Sequence, residues 1–344
     1  ETYGIANKKT DDAGNWWFEA CEGVTFPIEI TFEMAEDDGY MAQYILHDLS
    51  RTNAREDYAA LTDSQFANFR NIGLGELGQG ILYRSSSPIN PEIGRNAYAD
   101  SAIEAAGIKT IVNLADSKDE AMAYPGFAET CYSGQNVIYL GLGVDFQADD
   151  FQAGLADGLR FMAENEGPYL VHCTEGKDRA GFVSALLSCL TGASYDEVIA
   201  DYMITYDNYY GVKPGTDKYY AIAESNIEKS LKLAFGVEDL TSANLAAEAE
   251  EYFASIGLTS GEIAKLKGNL AKDMKTEQEL AAEGSAAYIG ETAYIVVRGD
   301  SLWLIAKNQL GDGKRWREIY NLNQAIVANP EVIFAGQKLA MPAK

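Results

Sequence analysis

Apolar and polar positions change rhythm twice along this chain. In the first eighty residues alternation comes in patches, as in GVTFPIEITFEM (23–34), which predicts a short strand or hairpin. From Gly80 short apolar runs alternate with helical stretches. GILYRS (80–85) predicts a strand, YADSAIEAAG (98–107) a helix stopped by Gly107, and KTIVNLA (109–115) and NVIYLGL (136–142) two further strands. DFQAGLADGLRFMAENEG (150–167) has the spacing of an amphipathic helix, and PYLVHC (168–173) that of a strand. Apolar β-rich runs separated by helices predict an α/β fold, a parallel-cored sheet flanked by helices. After Arg179 the pattern turns helical through AGFVSALLSCLTG, SYDEVIADYMITYDNYYG, TDKYYAIAESNIEKSLKLAFG, SANLAAEAEEYFASIG and SGEIAKLKGNLAKD. The second change comes near residue 290. There a strand, a tight RGDS turn, two short helices and a closing strand predict a βααβ unit, with Asp300 or Ser301 suited to the first helix N-cap.

Charge follows the same division. The chain carries 52 acidic and 27 basic residues, a formal charge of −25. Residues 293–342 hold six Lys/Arg and four Asp/Glu, a net of +2, against twenty and forty-eight, a net of −28, in residues 1–292. Residues 1–272 are therefore expected as one domain with a β-rich N-terminal part (1–79), 273–292 as a linker through KTEQELAAEGSAAYIGET, and 293–342 as a second domain. The strong negative charge argues against nucleic acid and anionic membranes as general partners, and no apolar run reaches the roughly 18 residues of a spanning helix. A start at Glu1 fits a trimmed chain or a mature protein whose signal peptide has been removed. Four cysteines (21, 131, 173, 189) are too few and scattered for a disulfide framework or zinc site, although Cys21 and Cys131 could pair in an oxidising compartment.

Candidate chemistry concentrates in VHCTEGKDRAGF (171–182), where Cys173 and Arg179 stand in C-x5-R spacing between a strand and a helix. A loop curling into a helix N-terminus aims backbone N–H groups and the helix dipole at its centre, which suits a phosphate dianion. The same field favours a thiolate at the cysteine. Arg179 can hold two phosphoryl oxygens at once. Gly176 lets the backbone turn close to a ligand, and the carboxyl ends of the strands are where open sheets bind ligands.

HCTEGKDRAG closely resembles the signature of the cysteine-dependent protein tyrosine phosphatase superfamily. Its Lys-Asp-Arg ending is similar to the bacterial branch of tyrosine and phosphoinositide phosphatases. LYRSSSPIN (82–90) and GIKTIVNLADSKDE (107–120) resemble that branch's segments ahead of the signature. The resemblance implies attack by Cys173 on phosphorus to form a phosphocysteine, protonation of the leaving oxygen, and release of phosphate by water. It implies that Arg179 and the loop residues Thr174, Glu175, Gly176, Lys177 and Ala180 surround the substrate, with His172 tuning the thiol from outside. Asp178, inside the loop, is favoured as general acid over Asp145, which follows a strand in GLGVDFQADD. Lys177 would meet a second phosphate or face solvent, and Arg84 would form a structural salt bridge or line the pocket. Ala180 replaces a hydroxyl that eases thiolate departure in many relatives, which implies slow breakdown of the intermediate. Glu175 stands where relatives carry a small residue, where it could offset Lys177 and disfavour polyanionic substrates.

AYIVVRGDSLWLIAKNQLGDGKRWREIYNLNQAIVANPEVIFAGQKLAMP closely resembles a LysM domain, a family that binds N-acetylglucosamine glycans such as peptidoglycan. The resemblance maps a glycan groove onto Gly299, Asp300, Ser301 and Leu302 and onto Pro330, Glu331, Val332 and Ile333. Together the two resemblances imply a secreted, cell-wall-associated bacterial phosphatase. Phosphotyrosine proteins, phosphoinositides and inositol phosphates all remain open as substrates, and a glycan-binding protein that only binds phosphorylated ligands is the alternative. No cofactor is expected, since no metal-ligand spacing is visible. GLGELG (73–78) precedes a strand and does not open a helix, so a dinucleotide reading fails on context. His47 and the tyrosine-rich DYMITYDNYYG are expected to serve packing.

Overall fold

A computed structural model describes residues 49–271, the four strands of the first forty-eight residues, and residues 293–342 with breaks at 297–299, 325, 328–329, 331–332 and 334–337. Contacts divide the chain into two units, Glu1–Ser50 and Arg51–Lys344. The first unit holds two antiparallel hairpins. One pairs β1 (Lys8–Thr10) with β2 (Trp16–Phe18), and the other pairs β3 (Ile28–Glu33) with β4 (Met41–Leu46). The second of these is the hairpin anticipated around residues 23–34. Cys21, His47 and the expected linker 273–292 lie outside the described residues, so the Cys21–Cys131 pairing does too.

The second unit is built on a five-stranded sheet in the order β5 (Arg70–Asn71), β6 (Leu82–Ser85), β9 (Tyr169–His172), β7 (Thr110–Asn113), β8 (Asn136–Tyr139). The four strands β6 to β9 run parallel, as their apolar runs predict. The sheet is nevertheless mixed, because the short edge strand β5 pairs antiparallel with β6. β9 lies between β6 and β7 and all four of its residues are buried, which is why YLVH reads as a continuous run without alternation. Ser85 of β6, Asn113 of β7 and His172 of β9 stand in register. Three strands therefore end level, and the loops that follow them meet at one edge of the sheet.

Helices start where their caps dictate. α1 (Asp63–Phe66), α3 (Lys118–Ala123), α6 (Tyr195–Tyr210) and α10 (Ser260–Leu270) each begin with a reciprocal capping box, for example Ser194 with Glu197 and Thr259 with Glu262. α2 (Asn96–Ala106) ends at Gly107 in the left-handed conformation, as expected. α4 (Asp149–Glu164) turns a buried face with Phe151, Leu155, Leu159 and Met162 inward. α5 (Arg179–Leu190) is buried on every side from Ala180 onward and forms the central helix behind the sheet edge. The next helical stretch breaks into α7 (Asp217–Ala223), a wider π turn over Glu224–Glu228, and α8 (Lys229–Phe235). α9 (Leu245–Ser255) and α10 complete the helical layer.

Near the C-terminus β10 (Ala293–Ile295) pairs antiparallel with β11 (Lys338–Ala340), and helices over Leu302–Leu310 and Trp316–Leu322 lie between them in sequence. This is the expected βααβ order, with its own core of Val296, Leu302, Ile305, Ala306, Ile319, Val327, Leu339 and Met341. Ser301 supplies the N-cap by accepting from the Leu304 N–H, while Asp300 accepts from the Tyr294 hydroxyl. Buried Asn323 closes the unit by donating to the Ala340 carbonyl and accepting from the Ala340 N–H, both at 2.8 Å. Among the described residues no helix is long and apolar enough to cross a membrane.

Candidate active site

Cys173 follows β9 directly and is 2% exposed, at the floor of the loop that leads into α5. The carbonyls of this loop are engaged one after another from behind. Thr174 O accepts from the Ser87 N–H at 3.0 Å and Glu175 O from the Tyr209 hydroxyl at 2.6 Å. Gly176 O accepts from Arg84 Nη2 at 2.9 Å and from Asn68 Nδ2 at 3.2 Å, and Lys177 O accepts from Arg84 Nη2 at 3.4 Å. Asp178 O accepts from the Phe182 N–H and so belongs to the first turn of α5. In a trans peptide the C=O and the following N–H point in opposite directions. Carbonyls drawn outward therefore turn the N–H groups of Glu175 through Arg179 toward the loop centre, over Cys173. That ring of donors, at the positive end of a helix, is an oxyanion cradle.

Gly176 makes this curl reachable. Its φ is +69°, and a Cβ there would sit 2.2 Å from the Ser85 carbonyl oxygen and 2.7 Å from the Ser86 nitrogen. The loop after β6 thus presses against the cradle's back with no room for a side chain.

Arg84 is held in turn by a buried carboxylate. Asp201 on α6 accepts from Arg84 Nη1 at 2.9 Å and from Arg70 Nε at 2.8 Å. Burial opposes the charge of Asp201, but the two guanidinium groups outweigh it and hold the carboxyl below its usual range. Arg84 is fully buried, and burial together with repulsion from Arg70 lowers its pKa to about 10, so both partners are charged at neutral pH. Asn68, at φ 54°, accepts from Arg70 Nη1 at 2.7 Å through its side-chain oxygen, while its amide nitrogen reaches the loop. Tyr209 is backed by Arg95, whose guanidinium lies 4.4 Å from the Tyr209 ring centroid and 4.0 Å from that of Phe66.

Arg179 donates from Nη1 to the Leu142 carbonyl at 2.7 Å and from Nη2 to Thr174 Oγ1 at 3.2 Å. Its Nε is buried without a protein acceptor. The bond to Leu142 joins the cradle to the loop after β8, which carries Asp145 three residues further on. Asp145 is exposed and accepts from the Gln147 N–H. Asp178 keeps 47% of its side chain exposed, and burial of its surroundings raises its pKa, only partly opposed by Lys177. Ala180 is buried, so only its backbone can take part in the loop.

Two expectations are revised by the packing. Lys177 does not face solvent, and Glu175 offsets its charge as anticipated. It binds Glu175 Oε2 at 2.8 Å, lies 3.7 Å from Asp178 Oδ2, and sits over the rings of Tyr206 and Tyr210. Burial opposes its charge, but Asp178 and Glu175 raise its pKa on balance. His172 is fully buried and held neutral, its pKa lowered to about 4 by burial. Nε2 lies 3.1 Å from the Tyr132 hydroxyl and Nδ1 3.4 Å from the Cys173 carbonyl, so any influence on the thiol runs through the backbone and not through a charge. Arg84 resolves as a structural ion pair that also shapes the cradle.

Sequence reasoning missed Arg51, Asn68, Arg70, Asp201, Tyr209 and Thr205, whose hydroxyl accepts from Arg84 Nη2 at 3.2 Å and donates to Asn68 Oδ1 at 3.1 Å. The available signal was the spacing of Asp201, Thr205 and Tyr209 at i, i+4 and i+8, a polar stripe on one helix face. The tyrosine-rich segment does pack, but part of what it packs against is the loop. In the C-terminal unit Leu302 is 2% exposed and its side chain serves the core, not a glycan groove. Asp300, Ser301, Pro330 and Ile333 are at least partly exposed, whereas Gly299, Glu331 and Val332 lie outside the described residues.

Residues 61–272 match the model of a family described as the tyrosine phosphatase family, and residues 294–342 match the LysM domain. A tyrosine-protein phosphatase of Nostoc commune is 25% identical over 213 residues, spanning 53% of this chain and 72% of that protein. The core catalytic domain of the PP-IP phosphatase SIW14 from S. cerevisiae, solved with citrate, is 19% identical at a TM-score of 0.29, covering 49% of this chain and 91% of that one. A second structure of the Siw14 catalytic core is 20% identical at a TM-score of 0.29, covering 46% and 90%.

Gly176→Ala is expected to lower stability by about 1–3 kcal/mol through backbone strain and to weaken inorganic phosphate binding at least tenfold, read by thermal denaturation and titration calorimetry. Unchanged phosphate affinity would mean that the amides do not form the binding surface. A second expectation concerns pH. His172 binds its proton more weakly folded than unfolded, so the unfolded chain takes up more protons as pH falls through about 6.5 toward about 4. Stability falls over that window by an amount on the order of 3 kcal/mol. In His172→Gln the pH dependence of urea unfolding between those limits should flatten.

Proposed function

This chain belongs to the tyrosine phosphatase family and carries a LysM domain, and we propose that it hydrolyses phosphate monoesters at Cys173 through a phosphocysteine while its LysM domain holds it on peptidoglycan. The observation that carries the catalytic reading is the set of loop carbonyls tied outward by Ser87, Tyr209, Asn68 and Arg84 above a buried cysteine.

In the proposed mechanism the phosphate dianion enters the ring of N–H groups, with its equatorial oxygens on those amides and on Arg179. The Cys173 thiolate attacks phosphorus as the bond to the ester oxygen breaks. Asp178 gives its proton to the departing oxygen, a role suited to a carboxyl whose pKa is raised by burial. Water then attacks phosphorus, its proton passes to the Asp178 carboxylate, the S–P bond breaks, and inorganic phosphate leaves with the thiolate restored. Both steps draw on positioning and charge complementarity more than on further covalent chemistry by the protein. Ala180 offers no hydroxyl to the departing thiolate, which makes breakdown of the phosphocysteine the slower half.

The anchoring reading rests on the LysM match and on the charge contrast between a near-neutral C-terminal segment and the acidic remainder. Asp300, Ser301, Pro330 and Ile333 are the described residues assigned to glycan contact, and a location outside the membrane at a bacterial cell wall follows from that assignment.

Cys173→Ser should abolish phosphate release while retaining phosphate or vanadate binding; persisting hydrolysis would end the cysteine mechanism. Asp178→Asn should lose about 10²–10⁴ in rate on an alkyl phosphate and far less on p-nitrophenyl phosphate, whose leaving group needs no proton. The opposite assignment, with Asp145→Asn showing that bias, would move the acid to the loop after β8. The full chain should sediment with purified peptidoglycan and be released by N-acetylglucosamine oligomers, whereas a chain ending at residue 272 should stay in solution. Equal partition of both would remove the anchor.

A further inference from the structure

Glu175 is one of two acidic side chains in a loop otherwise arranged to attract anions, the other being Asp178 at the start of α5. The Glu175 carboxylate is spoken for on both sides. Oε1 lies 2.7 Å from Arg51 Nη2, and Oε2 lies 2.8 Å from Lys177 Nζ. All three side chains are about four-fifths buried, at 19% exposure for Arg51, 23% for Glu175 and 17% for Lys177. Arg51 sits over the Tyr209 ring at 5.8 Å, and Lys177 is steadied by the Tyr210 hydroxyl at 3.3 Å. Burial works against the charge of Glu175, yet Lys177 and Arg51 hold its carboxyl below the usual range. The Cα of residue 175 lies within about 7.6 Å of that of Cys173, two trans peptides away. Two oxygens of one carboxylate between two cations accept from them as two oxygens of a phosphate would at the same place.

We propose that Glu175 is the specificity-determining residue of the loop: its carboxylate occupies, between Arg51 and Lys177, the position a second phosphate of a multiply phosphorylated substrate would take, and so restricts the site to singly phosphorylated esters. This rests on the reading of the loop as a phosphate cradle. Glu175, together with Asp178 beside Lys177, offsets the charges of Arg51 and Lys177. A second phosphate would have to displace a buried carboxylate whose charge would then face it, in a protein already carrying −25. A single phosphate on Cys173 meets the amides and Arg179 and is not affected in that way. Asp178 remains near Lys177 whatever happens at 175, so Arg51 is the cation that loss of Glu175 sets free.

The test compares kcat/KM for a phosphotyrosine peptide with that for an inositol bisphosphate carrying adjacent phosphates, using the full chain. Glu175→Gln should raise the ratio in favour of the bisphosphate by roughly tenfold to a hundredfold, the effect of one added charge-assisted hydrogen bond, with the change in KM. Adding Arg51→Gln to that variant should return the ratio toward its starting value. A ratio that stays put or falls while phosphotyrosine hydrolysis continues overturns the proposal. The unaltered protein supplies an independent check through competitive inhibition of phosphotyrosine hydrolysis: inositol bisphosphate should inhibit no better than inositol monophosphate. Tenfold stronger inhibition by the bisphosphate would show that Glu175 does not block a second phosphate. Inactivity of the unaltered chain on every ester would sink the phosphatase reading itself, a different result from either of these.

Discussion

Everything at the strand ends depends on the Asp201 carboxylate beneath the loop, bound by Arg70 and Arg84. A loop that presents N–H groups to an anion must dispose of its carbonyls, and the groups behind this one, Asn68 and Arg84, are buried. Arg84 performs that task for Gly176 and Lys177. A buried guanidinium is costly unless paired, and a pair in turn needs its remaining donors satisfied. Arg84 meets both conditions by using one edge on Asp201 and the other on the loop. The anion site is thus built by exporting the electrostatic problem one layer inward, where a second cation, Arg70, and the Asn68 side chain complete the arrangement.

Electrostatics in this molecule is local, not global. The chain as a whole is strongly acidic, yet the loop gathers amides and a helix N-terminus, with Arg179 bonded to Thr174 beside them. The other ionisable side chains of the signature are already used: Lys177 and Arg51 neutralise Glu175, while His172 is kept uncharged by burial against Tyr132. The positive character of the cradle therefore comes mainly from backbone dipoles and one arginine. A dipole field of this kind falls off with distance faster than that of a cluster of free cations.

The C-terminal unit follows a different physical logic. Among the described residues its core is eight side chains, and Asn323 joins the second helix to the closing strand through its side chain. Among the described residues three on each strand pair in the sheet. An asparagine that bonds both the N–H and the C=O of Ala340 extends the sheet's hydrogen bonding with a side chain. Trp303 remains 47% exposed beside Lys307, so this small unit also keeps an aromatic surface in solvent.

Local order along the chain was enough for the parallel strands, the stop of α2 at Gly107, the βααβ order, and the placement of Cys173 and Arg179 around one loop. Each of these depends on residues close together in sequence, where hydrogen-bond partners lie within about one turn and spacing alone sets the geometry. The antiparallel edge strand β5 was not legible, because two residues carry no periodicity. Nor was what holds the loop. Asn68 and Gly176 are 108 residues apart, and Arg84 and Asp201 are 117 apart. Packing alone brings them together, since which face of α6 meets the loop depends on how the helix seats against α5 and the sheet. The same is true of the charges on the loop. Glu175 and Lys177 are two positions apart in sequence, but whether they face a ligand or each other was decided by Arg51, which tertiary folding placed on the carboxylate's other side.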